Sequence, residues 1–180
     1  ADAGENLLMV SDVAGIANKT VTLASSRITG LSAAEINYTS MGGNYSGGIT
    51  VWSGFGNDTI TVSSTRHDTV PADVETITTF NTGLGNDDVT VSLIAETNGF
   101  FALNTQGAYG QEYYPAATDD DKVRASGSSL PLVVFGGQGK DDITTGSGSD
   151  IVFGDRGLVV YYSSDGNVAT VLGNGGLGDR

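Results

Sequence analysis

The chain reads as an all-β protein, a parallel β-helix or β-roll solenoid built on recurring Gly-Asp turns. Three observations predict this fold class. Short runs rich in Thr, Val and Ile alternate apolar and polar residues with the period of two that a half-buried strand requires. A Gly-x-Gly-x-Asp turn recurs between such runs, at residues 54–58, 83–87, 137–141 and 146–150. No stretch carries a sustained apolar period of 3.6 residues, so essentially no helix is expected.

Residues 49–64, ITVWSGFGNDTITVSS, give strand, tight turn and strand, and residues 76–94, TITTFNTGLGNDDVTVSLI, repeat the design. Residues 132–153, LVVFGGQGKDDITTGSGSDIVF, contain it twice, nine residues apart. Fainter echoes lie at 3–10, 30–40 and 119–124. Aligning all of them on the sixth turn position gives Asn6, Ala34, Asp58, Asp87, Asp121 and Asp141. Their irregular spacing suits stacked repeats whose loops absorb the length differences. The expectation is one segment over 1–180, with an insertion at about 95–130 and a roll-like part at about 132–160, belonging to a longer array. An antiparallel sandwich has similar strand spacing but no need to repeat a Gly-x-Gly-x-Asp turn. The insertion carries Phe100, Phe101, Tyr109, Tyr113 and Tyr114 before the acidic run Asp119, Asp120 and Asp121. These aromatics suit a cover for an open flank, or else a partner surface.

Composition narrows the function classes. Gly contributes 27 of 180 residues, and 21 Asp and Glu outweigh 8 Lys and Arg for a formal net charge of −13. That balance argues against nucleic acid, whose phosphates need basic partners, and against anionic membrane surfaces. It suits cations. The absence of Cys excludes disulfides, zinc thiolate sites and cysteine nucleophiles. No apolar run approaches the length of a membrane span.

The turns carry the chemistry. Gly136, Gly137, Gly139, Asp141 and Ile143 match every fixed position of the nonapeptide G-G-x-G-x-D-x-U-x, where U is a large apolar residue. Gly146, Gly148, Asp150 and Val152 match a second copy, Gly54, Gly56, Asp58 and Ile60 a third, and Gly83, Gly85, Asp87 and Val89 a fourth. Glycines permit positive φ and let carbonyl oxygens converge, the Asp adds a hard anionic oxygen, and the apolar residue anchors the next strand. Ca²⁺ takes six to eight such oxygens in flexible geometry.

In these motifs the sequence resembles the RTX family, the hemolysin-type calcium-binding repeats of secreted bacterial proteins. The likeness is specific at 136–153 and clear at 53–61 and 82–90. It implies Ca²⁺ as the cofactor and the side chains of Asp58, Asp87, Asp141 and Asp150 as ligands. Carbonyls of Gly54, Gly56, Gly83, Gly85, Gly137, Gly139, Gly146 and Gly148 would complete the sites. In a roll, turns nine residues apart lie on opposite edges, so the 136–141 turn should stack on residues 154–157, which makes Asp155 a candidate. Asp58 and Asp87 should face one another across one larger coil. Asn57 and Asn86 are weaker candidates, and Asp88 and Asp142 should point to solvent.

The functional expectation is an extracellular, secreted or cell-surface structural or adhesive module that is not an enzyme. Calcium would stabilise it, and it would associate with itself or with neighbouring repeats, end to end, into a rod or filament. His67 is the only histidine and lacks a nucleophile motif nearby. The rival reading is a carbohydrate-binding or polysaccharide-modifying β-helix module with a glycan or cell-surface partner. Against catalysis, the basic residues are scattered, with no charged cluster recurring on one strand face.

Overall fold

A computed structural model describes residues 4–68, 75–105 and 118–173. Its strands, numbered along the chain, form three sheets. The first has six strands, all parallel, in the order β1 (Leu8–Ser11), β5 (Ile49–Gly54), β7 (Thr78–Gly83), β9 (Phe101–Asn104), β11 (Leu132–Phe135) and β13 (Ile151–Phe153). The second has seven, in the order β12 (Asp142–Thr144), β10 (Lys122–Arg124), β8 (Asp88–Val91), β6 (Thr59–Val62), β2 (Thr20–Ala24), β3 (Arg27–Thr29) and β4 (Ile36–Asn37). Parallel neighbours need a crossover, and here each crossover runs through a strand of the opposite sheet.

Alternation decides which face each strand buries. Ile60, Val62, Val89, Val91 and Val123 point inward from the second sheet, while Thr59, Thr61 and Thr90 face outward. Val51, Phe80, Leu103 and Val134 form one in-register rank across the first sheet and meet them in a single core. Strands β9 and β11 are buried on both faces. Their outer residues Ala102, Val133 and Phe135 pack against Leu172 of a third, two-stranded sheet, β14 (Leu158–Tyr162) with β15 (Val168–Gly173).

The expected parallel solenoid over 1–180 is therefore corrected. One sheet is parallel, the second is mixed and the third antiparallel. The departures have local causes. Residues 25–26 make a two-residue turn, and such a short connection can return the chain only as an antiparallel neighbour. The Tyr38 hydroxyl donates to the Ala24 carbonyl at 2.5 Å and fastens the returning segment. Residues 30–40, read as a faded repeat, are this meander. In the β14–β15 hairpin, Asp165 accepts hydrogen bonds from the Ser163 hydroxyl and the Asn167 amide group, and Gly166 has φ 83°. That is turn chemistry of the Asx kind.

The insertion at 95–130 is not wholly irregular. It holds β9 and β10, both in register with their neighbours. Tyr109, Tyr113 and Tyr114 lie outside the described residues. No helix among the described residues is long and apolar enough to cross a membrane.

Candidate metal centre

Connections from the first sheet to the second stack along one edge, and an extended chain entering each strand places alternate residues inward. The inward residue just before β6, β8, β10 and β12 is Asp58, Asp87, Asp121 and Asp141. Their carboxylates form a ladder with the backbone. The Lys19 amide donates to Asp58 Oδ1 at 2.8 Å, and the Asp58 amide to Asp87 Oδ1 at 2.7 Å. The Asp87 amide donates to Asp121 Oδ1 at 2.8 Å, and the Asp121 amide to Asp141 Oδ1 at 3.0 Å.

One residue earlier, a second ladder runs the opposite way. Asn18, Asn57, Asn86 and Asp120 accept through their side-chain oxygens from the amides of Asn57, Asn86, Asp120 and Lys140, at 2.8–3.0 Å. This outer ladder is largely neutral and solvent-facing. The inner one is not.

Asp58, Asp87 and Asp121 are each only 2% exposed, as is Asp119, whose Oδ1 accepts from the Gly85 amide at 2.8 Å. The second oxygens of Asp58, Asp87, Asp119, Asp121 and Asp141 are all buried with no hydrogen-bond partner. Two neighbouring hydroxyls have given their protons elsewhere, Ser53 to the Thr82 carbonyl and Thr105 to the Gly136 carbonyl, while the Thr82 hydroxyl is itself without a partner and favours ionised Asp87. A buried carboxylate oxygen without a partner is costly, and four in one column with a fifth beside it need a common explanation.

Proton affinity follows from this burial. Loss of solvation raises Asp87 to about 7, Asp119 to about 6, Asp121 to about 9 and Asp141 to about 6. Repulsion between neighbouring carboxylates adds to the rise, as Asp87 and Asp119 do at Asp121. Asp58 is raised as well, again by burial first, although the nearby Lys19 charge favours its ionised form. Lys19 pairs with Asp12 at 2.7 Å at that end of the ladder. Towards the other end the Arg156 charge lowers Asp119. These two cations leave the column strongly negative when its acids ionise.

The donor set fits a hard cation. Carboxylate and carbonyl oxygens are what Ca²⁺ takes, whereas zinc favours nitrogen and sulfur ligands. Among the described residues no three acidic or histidine side chains gather at one point. The carboxylates stand in a line, about one strand spacing, or ~4.8 Å, apart. A bound ion would thus be held by one or two carboxylates from successive turns together with turn carbonyls.

The other sequence-derived candidates fall as follows. Asp150 lies on the opposite edge, between β12 and β13, where its Oδ1 accepts from the Leu132 amide at 2.9 Å. The residue stacked on it is Leu132, one before the Val133–Ile151 pair, so no carboxylate stands beside it there. Asp150 is therefore separated from Asp141. Asp155 is exposed, in the 154–157 turn that stacks on the 136–141 turn through the Gly136 amide and the Phe153 carbonyl, 2.8 Å apart. Its charge helps to raise Asp141.

Gly54, Gly83, Gly85, Gly137 and Gly139 have positive φ, as expected, but Gly56, Gly146 and Gly148 do not. Those three are glycine for another reason, because a Cβ would press on the carbonyls of Ala17, Ser128 and Leu130 respectively. Asp88 and Asp142 point outward and pair with Arg124 and Lys122. Asp68, beside His67, accepts from the Tyr45 amide and the Thr76 hydroxyl and pairs with Arg66 at 2.7 Å, a closed structural cluster.

The ligand set drawn from the motif omitted Asp119 and Asp121. Asp121 has a legible signal, an acid immediately before a strand as at Asp58 and Asp87, but no Gly-x-Gly precedes it. Asp119 has no counterpart in the other turns. Asn6 and Ala34 do not join the ladder, and Lys19 takes the place next to Asp58. No family model matches the chain, and searches of curated proteins and of solved structures return no match.

Proposed function

We propose that the protein is an extracellular calcium-binding structural or adhesive module in which Ca²⁺ completes the carboxylate ladder. The observation carrying this reading is the column of four buried, unpartnered carboxylate oxygens on Asp58, Asp87, Asp121 and Asp141, with a fifth on Asp119 beside it. The RTX-like turns support it, since their motif supplies Asp58, Asp87 and Asp141 to that one column. Ions lodged between successive turns would reinforce connections already tied by the two side-chain ladders and by backbone hydrogen bonds. A millimolar-calcium exterior suits sites of this weak, repeated kind. The role is structural rather than catalytic, because each ladder carboxylate already has one oxygen bound to backbone.

End-to-end association belongs to the same proposal. Among the described residues the outer strands β1 and β13 each leave one edge unpaired, and they carry exposed apolar side chains, Met9 at one end and Val152 at the other. Such edges are templates for strand addition.

The deciding experiment is native mass spectrometry after dialysis against millimolar CaCl₂ or MgCl₂, paired with Asp87→Asn and Asp121→Asn. Bound calcium is expected on the parent chain, with fewer ions on each variant. A folded parent chain that takes up no calcium would overturn the reading.

A further inference from the structure

The β14–β15 hairpin covers only part of the first sheet's outer face. Beside it a cleft of about 340 Å³ remains between β15 and the strands β5 and β7, within the range of small-ligand sites. Its floor carries Thr50 and Thr79, which are direct partners in the parallel register. Their hydroxyl-bearing carbons are therefore about one strand spacing, ~4.8 Å, apart. Ser46 enters from the turn before β5 and Thr170 from β15, while Ile77 and Leu172 add apolar surface.

Three features specify the ligand. No lining residue is charged, so the cleft offers nothing to a phosphate, a carboxylate or a metal ion. Four hydroxyls line it, and a hydroxyl both donates and accepts, which matches a ligand bearing the same dual groups. Ser46 Oγ is closed to solvent and has no hydrogen-bond partner in the protein, so turning its side chain into the cleft to meet a polar ligand atom would relieve a standing deficit. A purely apolar ligand would strand these hydroxyls, whereas a pyranose offers hydroxyls at its rim and C–H groups on its face for Ile77 and Leu172.

We propose that the cleft between the hairpin and the parallel sheet binds a neutral sugar residue of a glycan. The site is separate from the carboxylate ladder and does not rest on calcium binding.

The test is an amide-resolved NMR titration of the calcium-supplemented chain with maltotriose, cellotriose and laminaritriose, and with an anionic alginate trisaccharide. At least one neutral trisaccharide should give saturable shifts centred on Thr50, Thr79 and Thr170. Thr50→Val and Thr79→Val keep the side-chain shape and strand propensity, and each should weaken that binding about tenfold, the loss of one good hydrogen bond. Calcium stoichiometry and melting temperature should not change, which separates this outcome from failure of the ladder. No saturable shift with any neutral trisaccharide at tens of millimolar, a preference for the anionic one, or full affinity in both valine variants would overturn the proposal.

Discussion

Metal-free protein should lose stability as pH rises from 5 to 7, the reverse of what ordinary paired carboxylates give. The argument starts from Asp87 and Asp121, which burial lifts from an ordinary 3.8 to about 7 and about 9. In the unfolded chain both ionise near pH 4, while in the fold Asp121 keeps its proton through this window and Asp87 until its upper end. The fold therefore binds more protons than the unfolded chain, and stability falls with pH until the folded values are passed. Each such group costs about 1.4 kcal/mol per pH unit, so two groups over two units cost about 5 kcal/mol. That is comparable to the whole stability of many domains and corresponds to a fall of roughly 10–20 °C in melting temperature for a chain of this size. Asp68 has the opposite sign, since its hydrogen bonds and the Arg66 charge hold it below the ordinary value against burial. Its contribution is lost only as pH falls through the acid range, below the window. Circular-dichroism melts in excess EDTA at pH 5, 6 and 7, repeated in millimolar CaCl₂, would read the effect. Calcium should displace the protons and flatten the slope. A metal-free melting temperature that stays level or climbs from pH 5 to 7 would refute the reasoning.

Three further outcomes are expected. Asp141→Ala should lower both calcium uptake and the melting temperature in CaCl₂, whereas Asp142→Ala, which removes an exposed pair to Lys122 at 3.6 Å, should change stability by less than about 0.5 kcal/mol; equal effects in paired melts would refute the assigned register. Gly83→Ala should destabilise by several kcal/mol, or abolish soluble expression, because Gly83 has φ 93° and a Cβ there would overlap the Gly54 carbonyl oxygen; a near-parent melt would count against the close stacking of the two turns. Phe135→Ala should cost about 3–5 kcal/mol and loosen the hairpin, because Phe135 stacks on Phe153 at 5.2 Å and packs with Leu172; unchanged hydrogen-exchange protection over 158–173 would show that the hairpin is held otherwise.

Much of the strand content and one whole edge were legible because their signals are local. The alternation in 59–62 and 88–91 fixes which side chains face the core, and the Gly-x-Gly-x-Asp spacing fixes Asp58, Asp87 and Asp141 at equivalent places. Pairing direction was not legible. Whether residues 27–37 stack as another parallel repeat or fold back on β2 depends on the two-residue turn at 25–26, whose serines are weak turn markers beside Gly or Asn. The edge that Asp150 occupies follows instead from its nine-residue spacing from Asp141, which puts the two turns on opposite edges. Asp119 was illegible for a different reason. Its place opposite the Gly85 amide is set by stacking across 34 residues of chain, and no local pattern encodes that.

The opposed hydrogen-bond directions of the two ladders bear on how the edge could be charged. In the outer ladder each amide oxygen accepts from the next connection up the chain, so neutral groups can carry it and Asn is enough. In the inner ladder each oxygen accepts from the connection before it, while its twin oxygen points into a space closed to water. Asn there would replace the unpartnered oxygens by amide groups with donors of their own, and the column would gain little from a cation. Asp instead leaves a negative oxygen at every step, with Lys19 and Arg156 near its two ends as the fixed counter-charges among the described residues. Protons can settle the remainder in acid, and the cost in stability worked out above appears as pH rises. Near neutral pH a divalent ion between successive carboxylates would do so more fully, because it would offer charge to both twin oxygens and could take turn carbonyls as well. Binding at one step should then ease binding at the next, since it fixes the shared connection. On this physical ground uptake should be cooperative along the edge from Asp58 to Asp141, and Asp150, isolated on the other edge, should load independently.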